Sequence, residues 1–371
     1  MTRSRVVIAG LGDSGVLTAI HLARHCEVVG ISVKPGLVSG QELGLRISRP
    51  EVWARDYRVD FERFRGLDRV RTIHGMLTGA DIAGRRLTIS SPDGSTAVED
   101  YDALVISTGV TNGFWRRPTV QTGADIDDDL RQAHDIVERA GSVIVVGGGA
   151  AAVSSAANIA ATWPHTRVDL YYPGEHALPH HHPRTWQRVE TRLDELGVGR
   201  HRGHRALVPN GFECDRITQG PVRWATGQSP SEADAVVWAI GRTHPNTGWL
   251  PADILDDRGF VQVDSTLSVP GCPGVFAVGD VAASDRLRSS ARNRADRLVA
   301  HNVRAHLAGR RLSSYRPKDH RWGSVLGPQS DGLEVFAPTG HAFRFPAWSI
   351  ERVLQPWIVR RGIYHGVRDQ G

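Results

Sequence analysis

The sequence is poor in cysteine and contains almost no lysine. Cys26, Cys214 and Cys272 are its three cysteines, and they form no Cys-x-x-Cys pair. This spacing argues against a dithiol centre or a metal site and favours a reducing compartment. Lys34 and Lys318 are the only lysines among 45 basic residues. Such an arginine bias is more typical of genome base composition than of nucleic-acid binding, and no basic tract is present, so we expect no nucleic-acid partner.

The sequence also lacks a long apolar run. A transmembrane helix needs about 20 apolar residues, and no stretch reaches that length. Because the first apolar strand begins at Arg5, we expect no signal peptide and a cytoplasmic chain. The length of 371 residues predicts two or three domains, and the content of 40% hydrophobic and 23% charged residues is that of a globular protein.

The opening of the chain predicts a nucleotide-binding unit. An apolar strand, Arg5–Ala9, ends in a Gly-x-Gly-x-x-Gly turn and leads into the helical pattern Val16–Ala23. The turn consists of Gly10, Leu11, Gly12, Asp13, Ser14 and Gly15. Its first glycine permits the tight turn, its second lets the backbone approach a pyrophosphate at the helix N-terminus, and its third lets helix and strand pack closely. The alternative is a glycine-rich turn that binds no ligand.

The same pattern occurs a second time. The strand Ser142–Val146 is followed by Gly147-x-Gly149-x-x-Ala152 and a helix of small residues. Two such units predict an α/β protein with two Rossmann-like domains. They also suggest two cofactors that face each other, and the usual pair is a flavin with a nicotinamide.

Polar side chains follow the second strand of the first unit, Glu27–Lys34. An acidic residue commonly holds the adenosine ribose at this point. This chain instead has Ser32, which can hydrogen-bond a ribose, and Lys34, which either lies over a phosphate or is solvated. The next segment carries Arg46, which either clamps a diphosphate or forms a surface salt bridge.

Three further strands end at glycine. The strand from Tyr101 ends in Ser107, Thr108 and Gly109, the strand from Ala233 reaches Gly241, and the strand from Gly274 ends in Gly279 and Asp280. Together with the two glycine turns and Pro245-Asn246, this order resembles the two-dinucleotide-binding flavoprotein superfamily, also known as the pyridine nucleotide-disulfide oxidoreductase fold. The resemblance covers roughly residues 5–310. The missing cysteine pairs exclude the dithiol branch. The chain length and a tail unit without a long dimerisation domain are closest to the type II NADH:quinone oxidoreductase and apoptosis-inducing-factor-like branches.

The resemblance implies two Rossmann-like domains, the second inserted in the first, and a small C-terminal unit. The FAD-binding domain would cover 1–112 and 243–312, the NAD(P)-binding domain 113–242 and the C-terminal unit 313–371.

The resemblance also implies residue roles. The first glycine turn would hold the FAD diphosphate, and Thr108 and Gly109 would lie along FAD. The backbone of Leu77 would lie at the adenine. Asp280 would bind the ribityl chain, or alternatively cap a helix. The residues that would receive NAD(P)H are Gly147, Gly149 and Ala152.

The implied reaction is hydride transfer from NAD(P)H to FAD, followed by electron transfer to a quinone or a similar small acceptor. Two departures argue against ordinary quinone chemistry. Ser154 replaces a glutamate that this branch commonly carries, and Ser289–Asp296 replaces a glutamine-containing segment. The alternatives are a flavin-dependent tailoring enzyme of small-molecule metabolism and a non-catalytic flavin- or nucleotide-binding protein.

The second unit leaves the choice of nicotinamide open. Tyr172 stands where an acidic residue would favour NADH, and His176 or Arg184 can face a 2′-phosphate, which favours NADPH. Alternatively, the tyrosine stacks on adenine or fills the surface. The run His180–His182 has no partner at metal-ligand spacing, which predicts a solvated loop.

The segment Trp348–Arg361 mixes tryptophan with apolar and basic residues. It predicts either peripheral contact with the inner face of a membrane or packing against the FAD domain or a second subunit in a homodimer.

Overall fold

The computed structural model describes residues 3–111, 117–241, 243–285, 295–317 and 322–369. In these ranges strands and helices alternate over two parallel sheets, which confirms the predicted α/β fold. None of the helices in these ranges has the length and apolar content that a membrane crossing requires.

The elements follow in chain order. They are β1 (Arg5–Ala9), α1 (Asp13–Leu22), β2 (Glu27–Ser32), β3 (Gly36–Val38), α2 (Leu43–Ser48), α3 (Pro50–Tyr57), β4 (Arg58–Asp60), β5 (Val70–His74), β6 (Met76–Asp81), β7 (Arg86–Ser90), β8 (Thr96–Asp100), β9 (Ala103–Ile106), β10 (Val110–Thr111), α4 (Gly123–Glu138), β11 (Ser142–Val146), α5 (Ala150–Thr162), β12 (Arg167–Tyr171), α6 (Pro183–Glu195), β13 (Gly199–His201), β14 (Ala235–Trp238), β15 (His244–Pro245), β16 (Val275–Ala277), α7 (Ala295–Leu307), β17 (Pro328–Gln329), β18 (Gly332–Phe336), β19 (Ala342–Pro346) and α8 (Ala347–Ser349). α8 continues into a helix with wide, π-type hydrogen bonding over Ile350–Ile363, called the C-terminal helix below.

The first sheet has the strand order β16-β9-β1-β2-β5, and its strands run parallel. β1 lies in the middle, with Ile8 opposite Gly30 on β2 and Val105 on β9. The side chains of β1 from Val6 to Ala9 are fully buried, because layers of structure cover both faces of the sheet. In open parallel sheets, ligands bind at the edge where the strands end, so this edge of the first sheet is the one to examine for a site.

The second sheet has the order β13-β12-β11-β14 and lies between β9 and β16 in the chain. The second unit is therefore inserted in the first, as predicted. The domain boundaries at 112, 242 and 312 stay a prediction.

The C-terminal unit packs on both of the units that contain the parallel sheets. Leu326 and Phe336 belong to the apolar core around α5, whereas Val359 and Tyr364 belong to the core of the first unit. The predicted packing of the tail against the FAD domain is confirmed for this buried side of the C-terminal helix.

Local contacts set the bounds of two elements. α4 begins at Gly123, because Thr122 forms a capping box with Asp125. The strand predicted from Ala233 to Gly241 is too long, because it forms sheet pairs only over Ala235–Trp238. The departure at 289–294 lies outside the described residues.

Candidate active site

A cavity of about 520 Å³ opens where the strands of the first sheet end. This volume falls within the range of roughly 300–1,000 Å³ that ligand sites have. The cavity brings together residues that lie far apart in the sequence. The predicted site residues in its wall are Gly10, Leu11, Gly12, Asp13, Ser14, Ser32, Lys34, Leu77, Ser107, Thr108, Gly109, Gly279 and Asp280.

The glycines of the first turn have different geometric roles. Gly10 has φ +99°, and a Cβ added there would lie 2.6 Å from the carbonyl oxygen of Ser107. A Cβ at Gly15 would lie 1.9 Å from the carbonyl oxygen of Gly10, so Gly15 serves packing and does not line the cavity. A Cβ at Gly12 would meet no atom within 4 Å. Because Gly12 is also the N-cap of α1, open space lies beside free backbone amides, which fits a diphosphate.

The second turn repeats this geometry. Gly147 has φ +140°, and a Cβ there would lie 2.1 Å from the carbonyl oxygen of Ala239. Gly149 is the N-cap of α5 and has open space at its Cβ position. Ala152 is fully buried, and Gly241 lies exposed two residues beyond Ala239. The second turn therefore offers amides at a helix N-terminus in the same way as the first.

Lys34 lies in the wall of the cavity and belongs to a hydrogen-bonded chain. Its Nζ donates to Oε1 of Gln121 at 2.5 Å, and Nε2 of Gln121 donates to Oδ2 of Asp129 at 2.8 Å. Burial, with a smaller effect of the charge on Arg46, lowers the pKa of Lys34 to about 8. Lys34 is half-buried, so the alternative of a fully solvated side chain is wrong, whereas its place over a phosphate stays a prediction. Ser32 also lines the cavity, and its Oγ accepts a hydrogen bond from the backbone of Lys34 at 3.1 Å.

Arg46 is buried on α2, and its guanidinium lies 4.7 Å from the centre of the Trp53 ring. The alternative of a surface salt bridge is therefore wrong. Arg46 does not belong to the cavity wall, so its role as a diphosphate clamp stays a prediction.

Two carboxylates face the cavity. Asp13 accepts hydrogen bonds from Oγ of Ser39 at 2.9 Å and from the backbone of Gly40 at 3.3 Å, which ties the start of α1 to the segment before α2. Asp280 follows Gly279 beyond β16. No helix of the described residues begins at Asp280, so the N-cap alternative is wrong.

Asn246 lines the cavity, although the Pro245-Asn246 motif predicted no role for it. Its Nδ2 donates to the carbonyl oxygen of Thr108 at 3.0 Å, and Oγ1 of Thr108 donates to the carbonyl oxygen of Asn246 at 2.8 Å. This reciprocal pair holds the Thr108–Gly109 turn against the cavity. Arg117 also lines the cavity, and no motif pointed to it.

Tyr172 is buried in the core of the second unit, and its ring meets that of Trp186 edge-on at 5.8 Å. Burial raises the pKa of Tyr172. Both alternatives, stacking on adenine and filling the surface, are therefore wrong.

Ser154 is buried beneath α2. A Cβ added at Gly44 would lie 2.1 Å from the carbonyl oxygen of Ser154, and Nδ2 of Asn158 donates to the same oxygen at 2.9 Å. The position that carries glutamate in the resembling branch therefore has no carboxylate here and is covered by a helix.

The histidine run is more ordered than the predicted solvated loop. His182 is the N-cap of α6, and its side chain accepts a hydrogen bond from the backbone of Arg184. Within the described ranges, no group of three or more His, Cys, Asp or Glu side chains is arranged to hold a metal ion.

The sequence of this chain matches a family model over most of its length. The model of the pyridine nucleotide-disulphide oxidoreductases matches residues 4–305. The chain belongs to this family. It is 28% identical over 362 residues to the type II NADH:quinone oxidoreductase Ndh of Mycobacterium tuberculosis, covering 85% of this chain and 75% of that protein.

Other similarities agree with the family. The chain is 24% identical to the oxidoreductase ptaL of Pestalotiopsis fici, over 79% of this chain and 77% of that protein. Its fold is similar to that of the sulfide:quinone oxidoreductase of Aquifex aeolicus, with a TM-score of 0.71, 15% identity and coverage of 97% of this chain and 92% of that chain.

Family membership confirms the predicted class of protein, which is an oxidoreductase with FAD and NAD(P)H as cofactors. It argues against the non-catalytic alternative. The assignment of individual residues to each cofactor stays a prediction.

Proposed function

We propose that this oxidoreductase takes electrons from NAD(P)H and reduces a quinone or a similar small acceptor. The observation that carries the proposal is the cavity at the end of the first sheet, where the glycine turn, Lys34, the Thr108–Gly109 turn and Asp280 converge. FAD held by these residues would supply the redox chemistry that links NAD(P)H to an acceptor.

The residues of the cavity would bind and orient the cofactor. The free amides at the start of α1, next to Gly12, would hold the diphosphate, and the Lys34 ammonium would add positive charge to the wall. The Asp280 carboxylate would accept hydrogen bonds from hydroxyl groups. Asn246 would act indirectly, by fixing the backbone at Thr108.

The second glycine turn would receive NAD(P)H through the N-terminus of α5. Two observations bear on the identity of the acceptor. Similarity to a protein described as an NADH:quinone oxidoreductase supports a quinone, whereas the buried Ser154 favours an acceptor site that differs from that branch.

The experiment mixes the FAD-loaded protein with NADH or NADPH and then with a water-soluble quinone, with ferricyanide as a second acceptor. We expect NAD(P)H to bleach the flavin absorbance and the quinone to restore it over many turnovers. If ferricyanide restores the bleached flavin absorbance but quinone does not, the acceptor belongs to another chemical class. A flavin that neither nucleotide bleaches would refute the proposal as a whole.

The exposed side of the C-terminal unit indicates where in the cell the enzyme acts. Its exposed apolar side chains, called its apolar face below, are Phe343, Trp348, Val353, Trp357 and Ile358, and the two tryptophans are 62% and 58% exposed. Two exposed arginines, Arg352 and Arg361, flank it. Tryptophan prefers the membrane interface and arginine is attracted to anionic lipids, so we infer that a cytoplasmic enzyme contacts an anionic membrane surface here.

Sedimentation with phosphatidylcholine vesicles, with and without phosphatidylglycerol, tests the membrane contact. We expect binding only to the anionic vesicles, and we expect Trp357→Ser to weaken it. Leu207→Ser is the control, because Leu207 is 51% exposed and lies outside the apolar face. A homodimer in light scattering that Trp357→Ser dissociates, without vesicle binding, would make this face a subunit interface instead.

A further inference from the structure

Two turns lie against each other beside the second glycine turn. The backbone of Leu178 donates to the carbonyl oxygen of Gly148 at 2.6 Å, so the loop after β12 contacts the glycine turn. The turn after β13 also contacts that loop, because the backbone N–H of Gly203 donates to the carbonyl oxygen of Gly174 at 3.2 Å. Both turns follow the carboxyl ends of parallel strands, the edge where such sheets bind nucleotides. A dinucleotide on the second glycine turn would therefore extend its adenosine ribose toward them.

These turns carry one ion pair. Arg202 and Glu175 lie 3.3 Å apart across the two turns, and their side chains are 73% and 81% exposed. An exposed pair of this kind contributes only about 0–1 kcal/mol. Arg202 can therefore exchange Glu175 for a stronger partner at little cost.

The other residues named for the adenosine ribose are Tyr172, His176 and Arg184. Tyr172, at the end of β12, is buried against Trp186 and cannot reach a ribose. Arg184 lies beside the C-terminal unit, since a Cβ added at Gly340 would lie 2.9 Å from the Cβ of Arg184. The two turns themselves carry Glu175, His176, Arg202, His204 and Arg205, and Arg202 is the basic residue whose ion pair with Glu175 joins them.

We propose that Arg202 binds the 2′-phosphate of NADPH, and that Glu175 is the partner it releases. This assignment rests on the proposed function, because it needs the second glycine turn to receive the dinucleotide. A guanidinium makes two parallel hydrogen bonds to a phosphate, and a phosphate dianion attracts it more strongly than one carboxylate does. NADH has no phosphate at this position, so its ribose gains nothing from Arg202.

The experiment measures binding and not turnover. The FAD-loaded protein is titrated with NADP⁺ and with NAD⁺ by calorimetry, and 2′,5′-ADP and 5′-ADP serve as fragments that isolate the ribose end. We expect the wild type to bind NADP⁺ more tightly than NAD⁺. A hydrogen bond to a charged group contributes about 1.5–3 kcal/mol, so we expect Arg202→Gln to weaken NADP⁺ and 2′,5′-ADP by roughly tenfold to 150-fold and to leave NAD⁺ nearly unchanged.

Two further variants sharpen the test. Glu175→Gln removes the competing carboxylate, so we expect it to tighten NADP⁺ binding. Arg192→Gln is the matched control, because it removes an arginine of another surface pair, with Glu195 at 2.8 Å on α6, and we expect no change in either dinucleotide.

The outcomes separate this assignment from the proposed function. An equal loss of NADP⁺ and NAD⁺ in Arg202→Gln would overturn the assignment, as would a wild type that prefers NAD⁺. Both results would leave an NAD(P)H oxidoreductase intact. Only a holoprotein that binds neither dinucleotide would remove the proposed function as well.

Discussion

The second and third glycines of the first glycine turn allow cofactor binding to be separated from folding. Gly12 and Gly15 lie three residues apart, yet their surroundings are opposite. A Cβ at Gly12 would meet nothing within 4 Å, whereas a Cβ at Gly15 would lie 1.9 Å from a backbone oxygen and 2.9 Å from Oγ of Ser107. The same substitution, glycine to alanine, should therefore have two different effects.

Gly12→Ala should leave the fold intact and weaken FAD. Gly12 has φ −75° and ψ −168°, which alanine adopts without strain. Alanine lowers the entropy of the unfolded chain by about 0.4–1 kcal/mol but is a poorer N-cap than glycine, so the two effects nearly cancel. The added methyl would occupy the approach of the diphosphate. Loss of one charge-assisted hydrogen bond, about 1.5–3 kcal/mol, corresponds to roughly tenfold to 150-fold weaker FAD binding.

Gly15→Ala should destabilise the fold itself. Neither the carbonyl group of Gly10 nor β9 beneath it can move by an ångström without shifting β1, so we expect a cost of about 3 kcal/mol or more. Urea unfolding followed by tryptophan fluorescence measures the stability of each variant, and flavin absorbance measures its FAD content. Gly12→Ala protein that binds FAD as tightly as wild type would refute the placement of the diphosphate. Gly15→Ala protein with wild-type stability would refute the packing argument.

Three further variants test other parts of the site. Because the Lys34 ammonium has a pKa of about 8, we expect FAD affinity to fall as pH rises through 8 and Lys34→Met to abolish this dependence in titrations from pH 6.5 to 9.5. In flavin-free protein, pH acts on folding stability in the opposite direction. The pKa of Lys34 in the folded protein lies below its unfolded value of 10.5, so the unfolded chain binds more protons between these two pKa values. The free energy of unfolding of the wild type should therefore rise relative to that of Lys34→Met as pH rises from about 8 to 10.5. Gly149→Ala should retain FAD, since it lies outside the first cavity, but should weaken NAD(P)H in calorimetric titration; unchanged affinity would contradict the role of the second turn. Thr122→Ala removes the capping box of α4 and should lower the free energy of unfolding by about 1 kcal/mol in urea titrations, with FAD content unchanged.

Local sequence patterns were sufficient to find the cofactor edge. Four strands of the first sheet carry a signal of their own, such as the glycine turn after β1 or Thr108–Gly109 after β9. Parallel strands end at one edge, so the sequence alone predicts that residues such as Gly12 and Asp280 meet. Ser32 and Lys34 followed from the same rule.

The errors concern side chains whose surroundings come from distant segments. Arg46 is buried with its guanidinium 4.7 Å from the centre of the Trp53 ring, because α2 packs against α3 and α5. This burial excludes the alternative of a surface salt bridge. Tyr172 was expected at a ligand, but the packing of α6 on the second sheet turns its ring into the core.

The sequence by itself determined the chemistry of the two turns, since a strand, closely spaced glycines and a helix are a local arrangement that needs no long-range contact. Only the tertiary structure decided what surrounds them: Gln121 on the crossover to the second unit holds Lys34, α2 covers Ser154, and Arg202 meets Glu175 across two turns. These pairs are separated by tens to more than a hundred residues along the chain. Their partners are set by how whole elements pack, which short-range patterns do not encode.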